Sequence, residues 1–168
     1  PNSIKNKIKM ADDLIARNEK LDQNQELFYH IGNELMKKVS HNIFNCVKYF
    51  KVSALNGYIH SIFALAKVFC CNAPDEESLE IGVDLANIAS DLNSIDAFIL
   101  LGKLYKEGKG VKKNIVISAL NFKIAADQGN VYAMFEYANI LMCFARKDLD
   151  QNEYNSLIKE ANELIAVS

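Results

Sequence analysis

The sequence predicts an all-α fold, a solenoid built from repeated pairs of antiparallel helices. Its 168 residues include only two Pro and seven Gly, and half of them are hydrophobic. Leu, Ile, Ala, Lys and Glu, which favour helices, are abundant. Small, apolar and turn-forming residues also recur at a fixed separation along the chain. Few turn signals combined with a short internal period indicate stacked helical hairpins in a single domain.

The repeat is clearest in three segments that begin at Ala54, Ser90 and Ala126, each 36 residues after the one before. A fainter copy begins at Leu27, 34 residues before the matching Ser61. A period of this length fits two helices of about 12 to 15 residues joined by tight turns. We therefore divide the domain 1–168 into a leading helix at 3–19 and four repeats at 25–57, 58–93, 94–129 and 130–168.

Apolar spacing and turn residues place the individual helices. The first helices of the four repeats are predicted at 25–38, 58–71, 94–107 and 131–145. The second helices are predicted at 43–55, 76–91, 112–127 and 150–166. Gly108 is predicted to end a first helix as a left-handed cap, and Gly129 to end the second helix that follows. Asp75, directly after Pro74, is predicted to cap the start of a helix.

The third repeat carries the most complete motif. It reads Ala97-x3-Leu101-Gly102-x2-Tyr105-x2-Gly108-x-Gly110, and continues with Asn114, Ala119, Phe122, Ala125, Ala126 and Gly129. This pattern resembles a Sel1-like repeat, a relative of the tetratricopeptide repeat. It differs from the family pattern at Asn114, usually Asp, at Ser118, usually Lys, and at Phe122, usually Trp or Tyr. The other copies match more weakly.

The resemblance implies a right-handed superhelix whose first helices line a concave face and whose second helices lie outside. Small residues, namely Ala66, Gly102 and Ala138, are then expected where a neighbouring helix packs closely. The family also implies a function: a non-catalytic scaffold or adaptor whose concave groove binds a peptide or a helix of another protein. No cofactor or metal is expected.

Two rows of concave positions follow from the related tetratricopeptide repeat. The first row is apolar and consists of Tyr29, Phe63, Ile99 and Phe135. The second row is polar and consists of Asn33, Lys67, Lys103 and Asn139. Amides can hydrogen-bond to the backbone of a bound peptide, and a Lys can pair with an acidic side chain or a C-terminal carboxylate. We expect these residues to form the groove. The alternative is that the first row belongs to the core and the second is a solvated edge.

Charge and motif content disfavour other classes of function. The net charge of −2 and the pI of about 6.0 provide no electrostatic reason for nucleic acid or an anionic membrane as partner. No apolar stretch reaches the roughly 18 residues of a membrane-spanning helix. The segment Gly108-Lys109-Gly110 lacks the Gly-Lys-Ser/Thr ending of a phosphate-binding loop. The three His residues occur without a serine elbow or a His-Glu-x-x-His helix, so we expect no catalysis.

The cysteines bear on metal binding and location. Cys46, Cys70, Cys71 and Cys143 have neither Cys-x-x-Cys spacing nor paired His ligands, which disfavours zinc. They also lack the spacing that staples hairpins in secreted relatives, so we expect reduced thiols and a cytoplasmic location. Two alternatives stay open. A secreted microbial factor that binds a host protein is favoured by the 17 Lys, 18 Asn and 17 Ile. Self-association through the end hairpins is favoured by apolar residues 164–167.

Overall fold

The computed structural model describes residues 4–38, 43–72 and 75–145, and within these ranges the chain is helical without any β-strand. The helices found there are α1 (Ile4–Arg17), α2 (Gln25–Lys38), α3 (Ile43–Leu55), α4 (Ile59–Asn72), α5 (Glu76–Asp91), α6 (Ile95–Glu107), α7 (Ile115–Asp127) and α8 (Val131–Ala145). The predicted all-α fold is confirmed. The predicted helix at 150–166 lies outside the described residues.

The helix bounds differ from the predicted ones by a few residues, and the differences have local causes. Helix α1 ends at Arg17 rather than at 19, because Asn18 adopts a left-handed backbone conformation with φ of 53°. Helix α7 begins at Ile115 rather than at 112, because the Asn114 side chain caps it. The side-chain oxygen of Asn114 accepts hydrogen bonds from the first backbone N–H groups of the helix, which favours a start at this residue.

Glycine ends two helices where the sequence predicts it. At the end of α6, the N–H groups of Gly108 and Lys109 both donate to the Leu104 carbonyl, at 2.8 and 3.0 Å. Gly108 has φ of 74°, and Gly129, after α7, has φ of 87°. These angles lie in the left-handed region, which favours glycine because a Cβ atom would be strained there. Asp75 caps α5 as predicted, accepting from the Ser78 N–H at 2.7 Å.

The chain divides into two compact units, Pro1–Ser94 and Ile95–Ser168. In the first unit α1 contacts α2, α2 contacts α3, and α4 contacts both α3 and α5. In the second unit α7 contacts both α6 and α8. Consecutive helices joined by tight turns therefore pack as hairpins within each unit. None of the helices in the described ranges is long and apolar enough to cross a membrane.

Each unit has its own apolar core. Among its described residues, the first unit contains two buried clusters, one around Phe28, Ile31 and Tyr49 and one around Phe50 and Leu65. The described part of the second unit contains one cluster, formed by Ala119, Phe122, Ala125, Ala126, Ala133 and Ile140. All of these residues lie on faces that neighbouring helices cover, which is the pattern expected of amphipathic helices packed around a core.

Small residues allow close approach between helices in both units. A methyl carbon added at Gly102 would lie 2.9 Å from the Phe122 ring, and one added at Gly32 would lie 2.5 Å from the Phe50 ring. Ala66 is completely buried, as the resemblance implies. Ala138 is exposed instead, and the second helix expected to pack against it lies outside the described residues.

Candidate functional site

The predicted groove residues of the first unit lie on α2 and α4. Tyr29 is half-buried, and its ring centroid lies 5.3 Å from that of Tyr58, 5.9 Å from that of His60 and 6.0 Å from that of Phe50. Tilted ring pairs at such separations are favourable. The Tyr29 ring therefore bridges the aromatic core residue Phe50 and an aromatic surface cluster, which we define as Tyr29, Tyr58 and His60.

Asn33, Phe63 and Lys67 are the other predicted residues of this unit. Asn33 and Phe63 are half-buried, and Lys67 is exposed. Tyr29 and Asn33 are one turn apart on α2, and Phe63 and Lys67 are one turn apart on α4, so each pair shares a helix face. Each first helix of this unit therefore carries an aromatic ring and a polar group in succession.

The predicted residues of the second unit lie on α6 and α8. Ile99 is half-buried and packs against the core cluster of this unit. The Lys103 side chain is exposed, and its Nζ lies 4.6 Å from the centroid of the Tyr132 ring. This geometry is a cation–π contact between α6 and α8. Phe135 is 63% exposed, whereas Asn139 is half-buried.

An ion pair lies beside this cation–π contact. Lys106 Nζ of α6 donates to Glu136 Oε2 of α8 at 2.6 Å. This hydrogen bond lowers the pKa of Glu136; burial opposes the shift, and a hydrogen bond from Tyr132 and the charge of Lys103 reinforce it. Glu136 is therefore ionised at neutral pH, and the two lysines and the tyrosine form one polar network with it.

The eight predicted residues divide into four in each unit, and the apolar row is not uniform. Tyr29 and Ile99 pack against the cores of their units, as the alternative interpretation expects. Phe135 is a largely exposed ring on a helix surface. Lys67 and Lys103 of the polar row are exposed, and Asn33 and Asn139 are half-buried. Each unit thus presents a mixed aromatic and polar surface on its first helices.

A second surface, which the sequence interpretation missed, lies in the first unit between α3 and α5. It is an apolar trough of about 470 Å³. Its floor is formed by α4, and its walls by α3 and α5; the residues that define it are Ile62, Leu65, Phe69, Leu55, Ile81 and Ile88. Leu55 is 77% exposed, Ile81 44% and Ile88 48%, so large apolar side chains of both walls face solvent. The sequence signal for this trough is the spacing of Ile81, Leu85 and Ile88.

The histidines of the described ranges have structural contacts. His30 Nε2 lies 3.5 Å from Glu26 Oε1 on the same helix, and the His60 ring contacts that of Tyr29 in a tilted arrangement and that of Tyr58 edge-on. His41 lies outside the described residues. Within the described ranges, no group of three or more His, Cys, Asp or Glu side chains has a metal-binding arrangement, and the cysteines form no disulfide.

Several chains of solved structures resemble this one. The crystal structure of a Sel1 repeat protein from Oxalobacter formigenes covers 76% of this chain and 98% of its own, with a TM-score of 0.58 and 19% sequence identity. The fold is that of the Sel1 repeat proteins. The crystal structure of a protective antigen present in uropathogenic Escherichia coli strains, which displays an SLR fold, covers 70% of this chain with a TM-score of 0.59 and 22% identity.

The Sel1-type fold agrees with the motif in the third repeat, so the predicted resemblance is confirmed. The match covers 26% of the Escherichia coli antigen, of which this chain therefore corresponds to about a quarter. No protein-family profile matches the sequence, and no curated protein matches it.

Proposed function

We propose that this chain is a non-catalytic scaffold that binds a peptide or helical segment of another protein on the surfaces of its first helices. The observation that carries the proposal is the surface cluster of Tyr29, Tyr58 and His60, whose rings lie 5.3 to 5.9 Å apart. Aromatic side chains contribute much of the binding energy at protein interfaces, because they bury a large area with few rotatable bonds.

The polar row supports the same function. Lys67 and Lys103 are exposed and can pair with carboxylates of a partner, and Asn33 and Asn139 can donate to and accept from a peptide backbone. In the second unit, the ring of Phe135 provides an exposed apolar contact one turn before Asn139. The combination suits a segment with both apolar and acidic side chains.

The test uses the full chain and a displayed library of random peptides. Enriched peptides are synthesised with a fluorophore and titrated against the wild type and the double variant Phe63→Ala/Asn139→Ala. We expect the double variant to raise Kd about 10-fold or more, because alanine removes one predicted contact from each unit, the ring of Phe63 from the first and the amide of Asn139 from the second.

The control removes an equivalent pair of side chains elsewhere. Met10→Ala/Asn6→Ala on α1 changes one exposed apolar residue and one exposed amide outside the predicted groove. We expect this variant to bind the enriched peptides as the wild type does. Peptides that bind wild type and Phe63→Ala/Asn139→Ala with the same Kd would contradict the proposed surface.

We further propose that the chain acts in the cytoplasm, where its thiols stay reduced. Cys71 and Cys143 are exposed, whereas Cys46 and Cys70 are buried. A membrane-impermeant maleimide should therefore label this protein only after the source cells are lysed. Labelling at Cys71 in intact cells would instead favour the secreted alternative, in which the partner is a host protein.

A further inference from the structure

The apolar trough between α3 and α5 has the residue spacing of a helix-packing surface. On its floor, Ile62, Leu65 and Phe69 are three and four residues apart. On the α5 wall, Ile81, Leu85 and Ile88 are four and three residues apart, and the exposed Leu92 continues the series. Side chains at this spacing form one stripe along a helix, which is the pattern by which one helix packs along another.

This stripe is additional to the one that anchors α5 in the fold. Leu79, Val83 and Ala86 are buried and hold α5 against its neighbours. Ile81, Leu85 and Ile88 lie on another side of the helix, because successive residues are about 100° apart. From Ile81 to Leu92 the second stripe extends about 16 Å, at about 1.5 Å per residue, which equals about three helical turns of a partner.

A row of carboxylates borders the α5 wall. Glu77, Glu80, Asp84 and Asp91 are all exposed, and α5 contains no basic residue. Glu77 and Asp84 lie one turn to either side of Ile81, and Asp84 and Asp91 lie one turn to either side of Ile88. Within the described ranges, no ion pair involves any of these four carboxylates.

The position of Asp91 is also electrostatically unfavourable. It lies in the last turn of α5, where the helix dipole favours cations, and no basic residue is present in that turn. A cation supplied by a partner would therefore form an ion pair with Asp91. It would also offset the repulsion between Asp91 and the negative end of the helix dipole. On the opposite wall, Lys51 of α3 is exposed, so the side of a bound segment that faces α3 should be uncharged or acidic. Lys48 of the same helix already pairs with Asp12 at 2.6 Å.

We propose that the trough binds an amphipathic helix of a partner protein whose apolar stripe is flanked by Lys or Arg on the side that faces α5. The apolar side chains of this helix fill the space above Ile62, Leu65 and Phe69, and its cations pair with Asp84 and Asp91. This site goes beyond the proposed function, because Phe63 and Lys67 lie on a different side of α4.

The test measures binding of two designed probes to the full chain by fluorescence polarisation. Each probe is a stapled, fluorescein-labelled helix of about 14 residues, long enough to follow the trough. One has Leu at i, i+4, i+7 and i+11 with Lys along one flank and Gln elsewhere, and its twin has Glu in place of each Lys. We expect the Lys probe to bind about 10-fold more tightly at low salt, with a difference that shrinks as salt screens the charges.

Two protein variants separate the apolar from the electrostatic contribution. Ile81→Ser/Ile88→Ser should weaken binding of the Lys probe about 10-fold or more, because it removes the exposed part of the α5 wall. Asp84→Lys/Asp91→Lys should reverse the preference in favour of the Glu probe. All four side chains are exposed, so both variants should keep the wild-type circular dichroism spectrum.

This test can be distinguished from the test of the proposed function, whose surfaces lie on the first helices of the repeats. Phe63→Ala/Asn139→Ala should leave the Kd of the Lys probe unchanged, so either surface can fail without the other. Equal binding of the two probes at low salt, or unchanged binding to Ile81→Ser/Ile88→Ser, would overturn the proposal. So would sedimentation of the wild type as a dimer and of Ile81→Ser/Ile88→Ser as a monomer, which would identify a second copy of this chain as the occupant.

Discussion

In the hairpins α4/α5 and α6/α7, different residues lie where the two helices pack closely against each other. In α6/α7, the missing side chain of Gly102 leaves room for the ring of Phe122. The positions 36 residues earlier in α4/α5 are Ala66 and Ala86, which are both completely buried. Two small residues thus occupy the positions that a glycine and a phenylalanine occupy in α6/α7. The comparison indicates that close packing depends on the pair rather than on a fixed residue at either position.

The glycine of the α4/α5 hairpin lies on the other helix. A methyl carbon added at Gly82 of α5 would lie 2.7 Å from Cys70 Sγ of α4. In α6/α7 the glycine is on the first helix and its larger neighbour on the second, and in α4/α5 this order is reversed. In both hairpins, one helix has a glycine where a side chain of the other helix packs closely. This glycine can lie on either the first or the second helix.

The second helices also differ in how much of their surface is buried. In α7, the five consecutive residues Ser118–Phe122 are all buried, so no side of the helix faces solvent in that turn. In α5, the buried residues alternate with exposed ones, and Ile81 and Ile88 lie on the exposed side. This difference explains why an apolar trough borders α5. Its large apolar side chains lie not only on the face that the core buries but also on a face that is exposed to solvent.

The largest effect that would test this comparison comes from combining substitutions at Gly102 and Phe122. Phe122→Ala should lower the free energy of unfolding by about 3–5 kcal/mol, because it removes a completely buried ring. Gly102→Leu should lower it by about 1–3 kcal/mol or more, because the new side chain overlaps that ring. The double variant should lose less than the sum, because leucine fills space that the ring leaves.

Urea unfolding of the two single variants and the double variant measures this coupling. Gly32→Leu and Phe50→Ala provide a matched repeat in the α2/α3 hairpin, where the glycine and the ring have the same arrangement. Additive losses in both hairpins would mean that the paired residues do not compete for space, and the comparison with Ala66 and Ala86 would then fail.

A smaller effect should distinguish the two helix caps by pH. A hydrogen bond from Ser78 lowers the pKa of Asp75, whereas the corresponding cap of α7, Asn114, does not titrate. Unfolded Asp75 therefore binds a proton at a higher pH than folded Asp75 does. Its stabilisation is present above about pH 4, the ordinary range of an aspartate, and is lost as pH falls through the lowered pKa of the folded state.

The free energy of unfolding of Asp75→Asn should accordingly depend less on pH in the acidic range than that of the wild type. Asparagine keeps the capping oxygen but does not carry the charge. Urea unfolding between neutral and acidic pH compares the wild type with this variant. Asn114→Asp serves as the reciprocal change and should increase the pH dependence in the same range. Identical profiles for wild type and Asp75→Asn would exclude the cap as a source of pH dependence.

The helices could be predicted from the sequence because their limits depend on local chemistry. Gly108 and Gly129 adopt backbone angles that other residues avoid, and Asp75 provides a side-chain cap next to a proline. The predicted start of α7 is three residues early, because the lysines before Asn114 have good helix propensity and only the cap geometry excludes them. Local signals therefore determine helix existence more reliably than helix ends.

The trough could not be predicted in the same way. Helix α5 has two apolar stripes with the same spacing, one through Leu79 and Val83 and one through Ile81 and Ile88. Periodicity does not distinguish a stripe that neighbouring helices bury from one that lines a surface. That distinction depends on where α3 and α4 lie, which only the packed structure shows. The residues of the predicted groove stay a prediction for a related reason, because the exposure of a side chain does not by itself identify a binding surface.

The pairing of Gly102 with Phe122 also bears on how such arrays can grow by duplication. A genetic exchange with its breakpoint between α6 and α7 could join a first helix that has alanine at this position to a second helix that carries the phenylalanine. A methyl group would then lie where the ring needs space. Breakpoints in the turns between hairpins keep both partners together. Exchange of a single helix between α4/α5 and α6/α7 would therefore lose this fit, whereas exchange of the whole hairpin would keep it.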